Sequence, residues 1–111
     1  MIDKVLNLDE ALGRFGGNVA IYKKMLTMFK DSSYFDDLNT SLKENELKQA
    51  ERAAHTIKGT AGNLSLTALY QISCDLNEQL KKGEDFTENH QKLQEIYALT
   101  MTEITNFINA N

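Results

Sequence analysis

The stretch Leu47-Lys48-Gln49-Ala50-Glu51-Arg52-Ala53-Ala54-His55-Thr56-Ile57-Lys58-Gly59-Thr60-Ala61-Gly62-Asn63-Leu64 decides the fold. Its apolar residues Leu47, Ala50, Ala54, Ile57, Ala61 and Leu64 recur at spacings of 3, 4, 3, 4 and 3. That period marks one face of a helix. Three of the six are alanine, so a neighbouring helix can approach closely. At about 100° per residue, His55 lies roughly 135° from the centre of this seam and faces away from the core. Gly59 stands one turn further along on the same face, Gly62 lies seven residues on, and Lys58 sits at the flank.

Working outward, the rest of the chain also reads as helix. No proline occurs in 111 residues, which favours long uninterrupted helices. A short first helix is expected over about residues 8–15, opened by Asn7 with Glu10 as a capping box and closed by Gly16-Gly17. Asn18 is the expected N-cap of a second helix running to about Lys43, with Ile21, Met25, Met28, Phe35 and Leu42 as its apolar stripe and Asp31-Ser32-Ser33 as a place where it bends or breaks. A fourth helix begins near residues 65–67, carries Leu69, Ile72, Leu76 and Leu80, and stops at Gly83. Asp85 and Glu88 suggest another capping box. The last helix then reaches about Ile108 along Leu93, Tyr97, Thr100, Ile104 and Phe107. No segment alternates as a strand does. The expectation is a single all-α domain over 1–111, an antiparallel up-down four-helix bundle with a short N-terminal capping helix.

Composition narrows the function. Sixteen acidic residues against twelve basic ones leave a net charge of −4, which disfavours nucleic acid as a partner. No apolar run approaches the length of a membrane span or of a signal peptide. The single cysteine, Cys74, can form neither an internal disulfide nor a cysteine-based zinc site. A soluble cytoplasmic protein fits these features.

Two glycines beside a solvent-facing histidine are a costly arrangement, since each glycine inside a helix loses about 1 kcal/mol relative to alanine. The missing side chains leave room for a group on the ring, or for another protein's backbone. An imidazole with its ordinary pKa of about 6.5 is mostly neutral above pH 7 and can attack phosphorus, carrying the phosphoryl group as a covalent intermediate. Lys58 would offset the charge of that group. A polar side chain on one ring nitrogen would fix the tautomer that exposes the other, and Asn77 on the fourth helix is the candidate for it. The bland alternatives are a solvated surface histidine and glycines that serve packing.

The segment Ala54-His55-Thr56-Ile57-Lys58-Gly59-Thr60-Ala61-Gly62-Asn63-Leu64-Ser65 resembles the pattern Ala-His-x-Leu-Lys-Gly-x-Ala-x-x-Leu-Gly of the histidine-containing phosphotransfer (HPt) domains of bacterial phosphorelays. The run Leu12-Gly13-Arg14-Phe15-Gly16-Gly17-Asn18, followed by Ile21-Tyr22 and Met25-Leu26, is similar to the opening region of such domains, so the likeness covers roughly residues 8–108. Ser65 departs from the pattern, standing where glycine is frequent, at the exit of the third helix, where it could cap the next one.

The resemblance implies a phosphocarrier rather than an enzyme. His55 would accept a phosphoryl group from a receiver-domain aspartyl phosphate and pass it to another receiver's aspartate. The receivers of response regulators or of a hybrid sensor kinase would be the partners, and they would supply magnesium and catalytic groups. The chain itself would need no cofactor and no metal. No nucleotide-binding glycine loop occurs in the sequence, in keeping with that division of labour.

Two other classes stand beside this reading. One is a non-catalytic helical adaptor that docks response-regulator domains. The other is a metal-binding bundle, for which Glu51 with His55 is the nearest approach to a ligand pair, at a spacing unlike the Glu-x-x-His of di-iron bundles. His90 reads as a surface residue, Cys74 as a small, at least half-buried side chain, and Met25 and Met28 as core. Lys23-Lys24 and Lys81-Lys82 read as solvated, with a secondary reading as attraction for an acidic receiver surface. A monomer is expected. The initial methionine leans towards a free-standing protein over a domain cut from a hybrid kinase.

Overall fold

A computed structural model describes residues 5–110; the outermost residues of the domain expected over 1–111 fall outside that range. Six helices follow one another: α1 (Leu8–Arg14), α2 (Val19–Lys30), α3 (Tyr34–Lys43), α4 (Leu47–Asn63), α5 (Thr67–Lys82) and α6 (Thr87–Asn109). No strand occurs among the described residues. The caps explain several boundaries. Asn7 and Asn18 each accept the backbone N–H three residues on, from Glu10 at 3.2 Å and Ile21 at 3.0 Å. Gly83 closes α5 at φ +70°, in the left-handed region that favours glycine. The box expected from Asp85 and Glu88 does not form. Asp85 accepts instead from the backbone and hydroxyl of Thr87, at 3.0 and 2.8 Å, and these two bonds hold its carboxyl below the usual carboxylate range.

The single helix expected from Asn18 to Lys43 is two helices. Ser32 folds both its backbone N–H and its hydroxyl back onto the Phe29 carbonyl, at 3.1 and 2.7 Å, and the Ser33 hydroxyl donates to Asp37 at 3.0 Å. Short polar side chains that bond locally compete with the helical ladder, and two in a row end it here. Tyr97 of α6 spans the break, packing edge-on to Phe29 and stacking on Phe35 at 3.7 Å between ring centroids. Further along, Tyr22 meets Phe107 and Asn39 meets His90. The two half-helices therefore run together, antiparallel to α6.

The stripe expected on α2 is off by one residue. Tyr22, Leu26 and Phe29 are buried, whereas Ile21, Met25 and Met28 are 48, 38 and 58% exposed. Both sets repeat every three or four residues, so periodicity alone cannot choose between them. The choice is made by Tyr22, whose ring packs on Phe15 and whose hydroxyl donates to the Leu64 carbonyl at 2.6 Å, at the exit of α4. Burial pushes this phenol well above its ordinary pKa. Leu47, the first residue of the seam and of α4, is also exposed. The remaining seam residues Ala50, Ala54, Ile57, Ala61 and Leu64 are buried, as are Leu69, Ile72, Leu76 and Leu80 on α5 and Leu93, Thr100 and Ile104 on α6.

Ser65 does not cap α5. It takes φ +57° in the turn between α4 and α5, the left-handed conformation in which a glycine is easier. Contacts from α1 hold it there: its hydroxyl donates to Glu10 at 2.8 Å and its carbonyl accepts the Asn7 N–H at 3.0 Å.

His90 is not a free surface residue. Half-buried at the start of α6, its Nε2 lies 2.9 Å from Asn39 Oδ1 of α3 and 2.9 Å from Gln94 Nε2. Burial lowers its pKa below the ordinary 6.5. A histidine held neutral in the fold contributes stability that is complete above its unfolded pKa and is lost as pH falls through the lower folded value. Denaturant unfolding at about pH 7.5 and about pH 5.5 should therefore show a smaller acid loss for His90→Gln than for wild type. Equal losses would contradict this role.

Candidate functional site

The buried seam of α4 turns His55 outward. The imidazole is exposed, while Ala54 and Ile57 beside it are fully buried. Gly59, one turn on, is exposed as well, and a Cβ placed on it would meet nothing within 4 Å. The surface beside Gly59 is open.

Gly62 serves something else. A Cβ there would lie 3.1 and 3.2 Å from two ring atoms of Tyr70 on α5. The sequence suggests Gly62 as clearance for the imidazole; in the structure its missing side chain admits the Tyr70 ring. Cys74, half-buried one turn further along α5, pushes the Tyr70 phenol above its ordinary pKa. Lys58 is half-buried and borders the same groove as Gly59, Gly62 and Tyr70, with Arg14 of α1 at the far side.

Asn77 is 2% exposed, and its amide nitrogen donates to the backbone carbonyl of Glu51 at 3.0 Å. That carbonyl lies one turn before His55. The amide thus ties α5 to α4 beneath the histidine, and among the described residues no side chain hydrogen-bonds the ring itself. Asn77 still borders the same shallow cavity as His55, together with Arg52, Thr56 and Lys81. Among the described residues no group of three His, Cys, Asp or Glu side chains is placed to hold a metal ion. Among the described residues no helix is long and apolar enough to cross a membrane.

A family model, that of the Hpt domain, matches residues 24–108. The chain belongs to the Hpt domain family. The match spans α3 to α5, all but the final residue of α6 and the last seven residues of α2. It leaves out α1 and the Gly16-Gly17 turn, which the sequence likeness had included. No curated protein and no solved structure matches the chain. Hpt domains serve histidine phosphotransfer in two-component phosphorelays, as phosphocarriers that work with receiver domains of response regulators or kinases.

Sequence reasoning missed three features around this candidate site. Tyr70 gave no signal, because its relation to Gly62 exists only across two helices. Lys81 reads as solvated charge and Arg52 gives no signal, although both border the cavity at His55. Ile21, Met25 and Met28 read as an inward stripe but are exposed, since an outward apolar stripe carries the same period as an inward one.

The two glycines should separate in a stability measurement. Gly59→Ala should raise unfolding free energy by up to about 1 kcal/mol, since the new methyl meets open space. Gly62→Ala should gain clearly less, because its methyl presses on Tyr70. Urea denaturation of the two variants would check this, and equal gains would remove Tyr70 as the reason for Gly62.

Proposed function

We propose that His55 is the phosphoacceptor of a multistep phosphorelay carrier, taking a phosphoryl group from a receiver's aspartyl phosphate and passing it to the aspartate of another receiver. The observation that carries this reading is the exposed imidazole on the outer face of α4, with open space at Gly59 one turn away. On this reading α3 continues α2 in one position of an antiparallel four-helix bundle, α4, α5 and α6 fill the other three, and α1 lies across the α4–α5 turn. The carrier acts as a cytoplasmic monomer.

The chemistry divides between the partners. The unprotonated ring nitrogen of His55 donates its lone pair to phosphorus. The bond from phosphorus to the aspartyl oxygen breaks, and its electron pair stays on the receiver's carboxylate. The ring keeps its other N–H during the step and afterwards releases a proton to water. In the forward transfer the incoming carboxylate reverses these events. Magnesium and the groups that polarise the phosphoryl oxygens belong to the receiver. Lys58 adds positive charge beside the ring, and Gly59 lets the receiver's backbone come close.

A docking surface lies next to this face. Ile21, Met25 and Met28 project from α2, and Met25, Met28, Tyr34, Thr60 and Asn63 border an apolar groove of about 260 Å³. Asn63 stands eight residues beyond His55 on α4, about 12 Å along the helix axis. A receiver reaching His55 would cover both.

Phosphoryl transfer from a phosphorylated receiver should label wild type and leave His55→Gln unlabelled with its thermal unfolding unchanged. The product should be acid-labile and alkali-stable, as a phosphoramidate is. Label retained by the variant would remove His55 from the role. No labelling of wild type by a broad receiver panel would favour a docking module without chemistry. Met28→Lys should raise the receiver concentration for half-maximal transfer by about tenfold, the scale of an interface anchor. It should leave loading by the small donor phosphoramidate unaltered. A receiver dependence identical to wild type would place docking elsewhere.

A further inference from the structure

The exposed imidazole of His55 and the open space at Gly59 account for access to phosphorus, but not for where the transferred group rests. Side chains on a helix slope towards its N-terminus, so a residue covers the turn that precedes it. The ring of His55 therefore covers the turn of Glu51 and Arg52. Lys58 and Gly59 lie on the other side, one turn on.

The turn it covers borders a shallow cavity of about 370 Å³. From α4 the cavity is bordered by Glu51, Arg52, His55 and Thr56, and from α5 by Asn77 and Lys81. The bond from Asn77 to the Glu51 carbonyl holds the two helices in register at this level. Lys81 is four residues beyond Asn77, hence on the same face of α5. Two cations and one carboxylate face the cavity. Arg14, Lys82 and Lys92 each pair with a glutamate on their own helix, but neither Arg52 nor Lys81 forms an ion pair among the described residues. Charge and position suit a doubly negative tetrahedral group attached to the ring.

We infer that Lys81 and Arg52 bind the phosphoryl group while it resides on His55, with Lys58 facing the approach side. This rests on His55 as the phosphoacceptor. Lys81 is the decisive member, because it comes from a different helix and its cation is brought to the histidine by the α4–α5 contact alone.

Phosphoramidate tests the inference without a receiver, so docking plays no part. The ring nitrogen forms a bond to phosphorus as the phosphorus–nitrogen bond of the donor breaks and ammonia leaves with its electron pair. Lys81→Ala should slow loading about three- to tenfold, the scale of an interaction between partly solvated charges. A second readout follows the phosphoryl group itself. Nearby cations favour its dianion and lower its pKa. The 31P shift of the loaded protein, titrated with pH, should therefore give a higher midpoint for Lys81→Ala than for wild type. Lys81→Arg should restore the wild-type midpoint. Lys82→Ala, which removes the neighbouring cation paired with Glu78 at 3.2 Å, should leave it unmoved. Arg52→Gln should shift it in the same direction as Lys81→Ala. A Lys81→Ala midpoint equal to that of wild type would overturn the inference while leaving the phosphoacceptor in place. Wild type that accepts no phosphoryl group would instead overturn the phosphoacceptor reading beneath it.

Discussion

The close approach of α4 to its neighbours is the constraint on which the rest of the structure depends. Ala50, Ala54 and Ala61 are fully buried with Ile57 between them. Small side chains let the adjacent backbones come near, and a seam so narrow tolerates little rotation about the helix axis. With that rotation set, His55 has one direction available, which is outward. Turning α4 by one residue would bury an imidazole and expose an apolar row. A helix that packs this way holds the outward imidazole on a rigid support, and the phosphoacceptor role proposed for His55 needs such a fixed geometry.

The same contact makes the site a property of two helices. Asn77 donates to a carbonyl of α4, and Tyr70 lies over Gly62 in place of a side chain. These two contacts lie on either side of His55 along α4. They keep α5 in register with it, so Lys81 arrives beside the histidine and Lys58 borders the groove next to Tyr70. Burial of the Asn77 amide at the Glu51 carbonyl also satisfies a polar group that would otherwise be costly at this depth.

The α2–α3 half of the molecule is arranged differently. Two serines end the helix at a point where Tyr97 can meet an aromatic ring on each side of the break. The Tyr22 hydroxyl then anchors α2 to the end of α4. This anchoring turns Leu26 and Phe29 inward and leaves Ile21, Met25 and Met28 outside, the two methionines on a groove shared with Thr60 and Asn63 of α4. A domain that exposes such a row has a surface suited to a partner.

Local patterning by itself determined the helical class, the ends at Asn7, Asn18 and Gly83, the seam of α4 and the outward direction of His55 with Gly59. Each depends on spacing within one helix or on the conformational preference of one residue, and those quantities are written in the chain. The tertiary structure alone decided the rest. Which of two equally periodic stripes on α2 is buried depends on a hydroxyl finding a carbonyl 42 residues away. The role of Gly62 depends on Tyr70, the partner of Asn77 on Glu51, and the burial of His90 on Asn39. Ser65 looked like a cap because serine caps helices, but its left-handed backbone is held by contacts from α1. In every case the deciding free energy lies in a contact between distant segments, which no period along one segment can express.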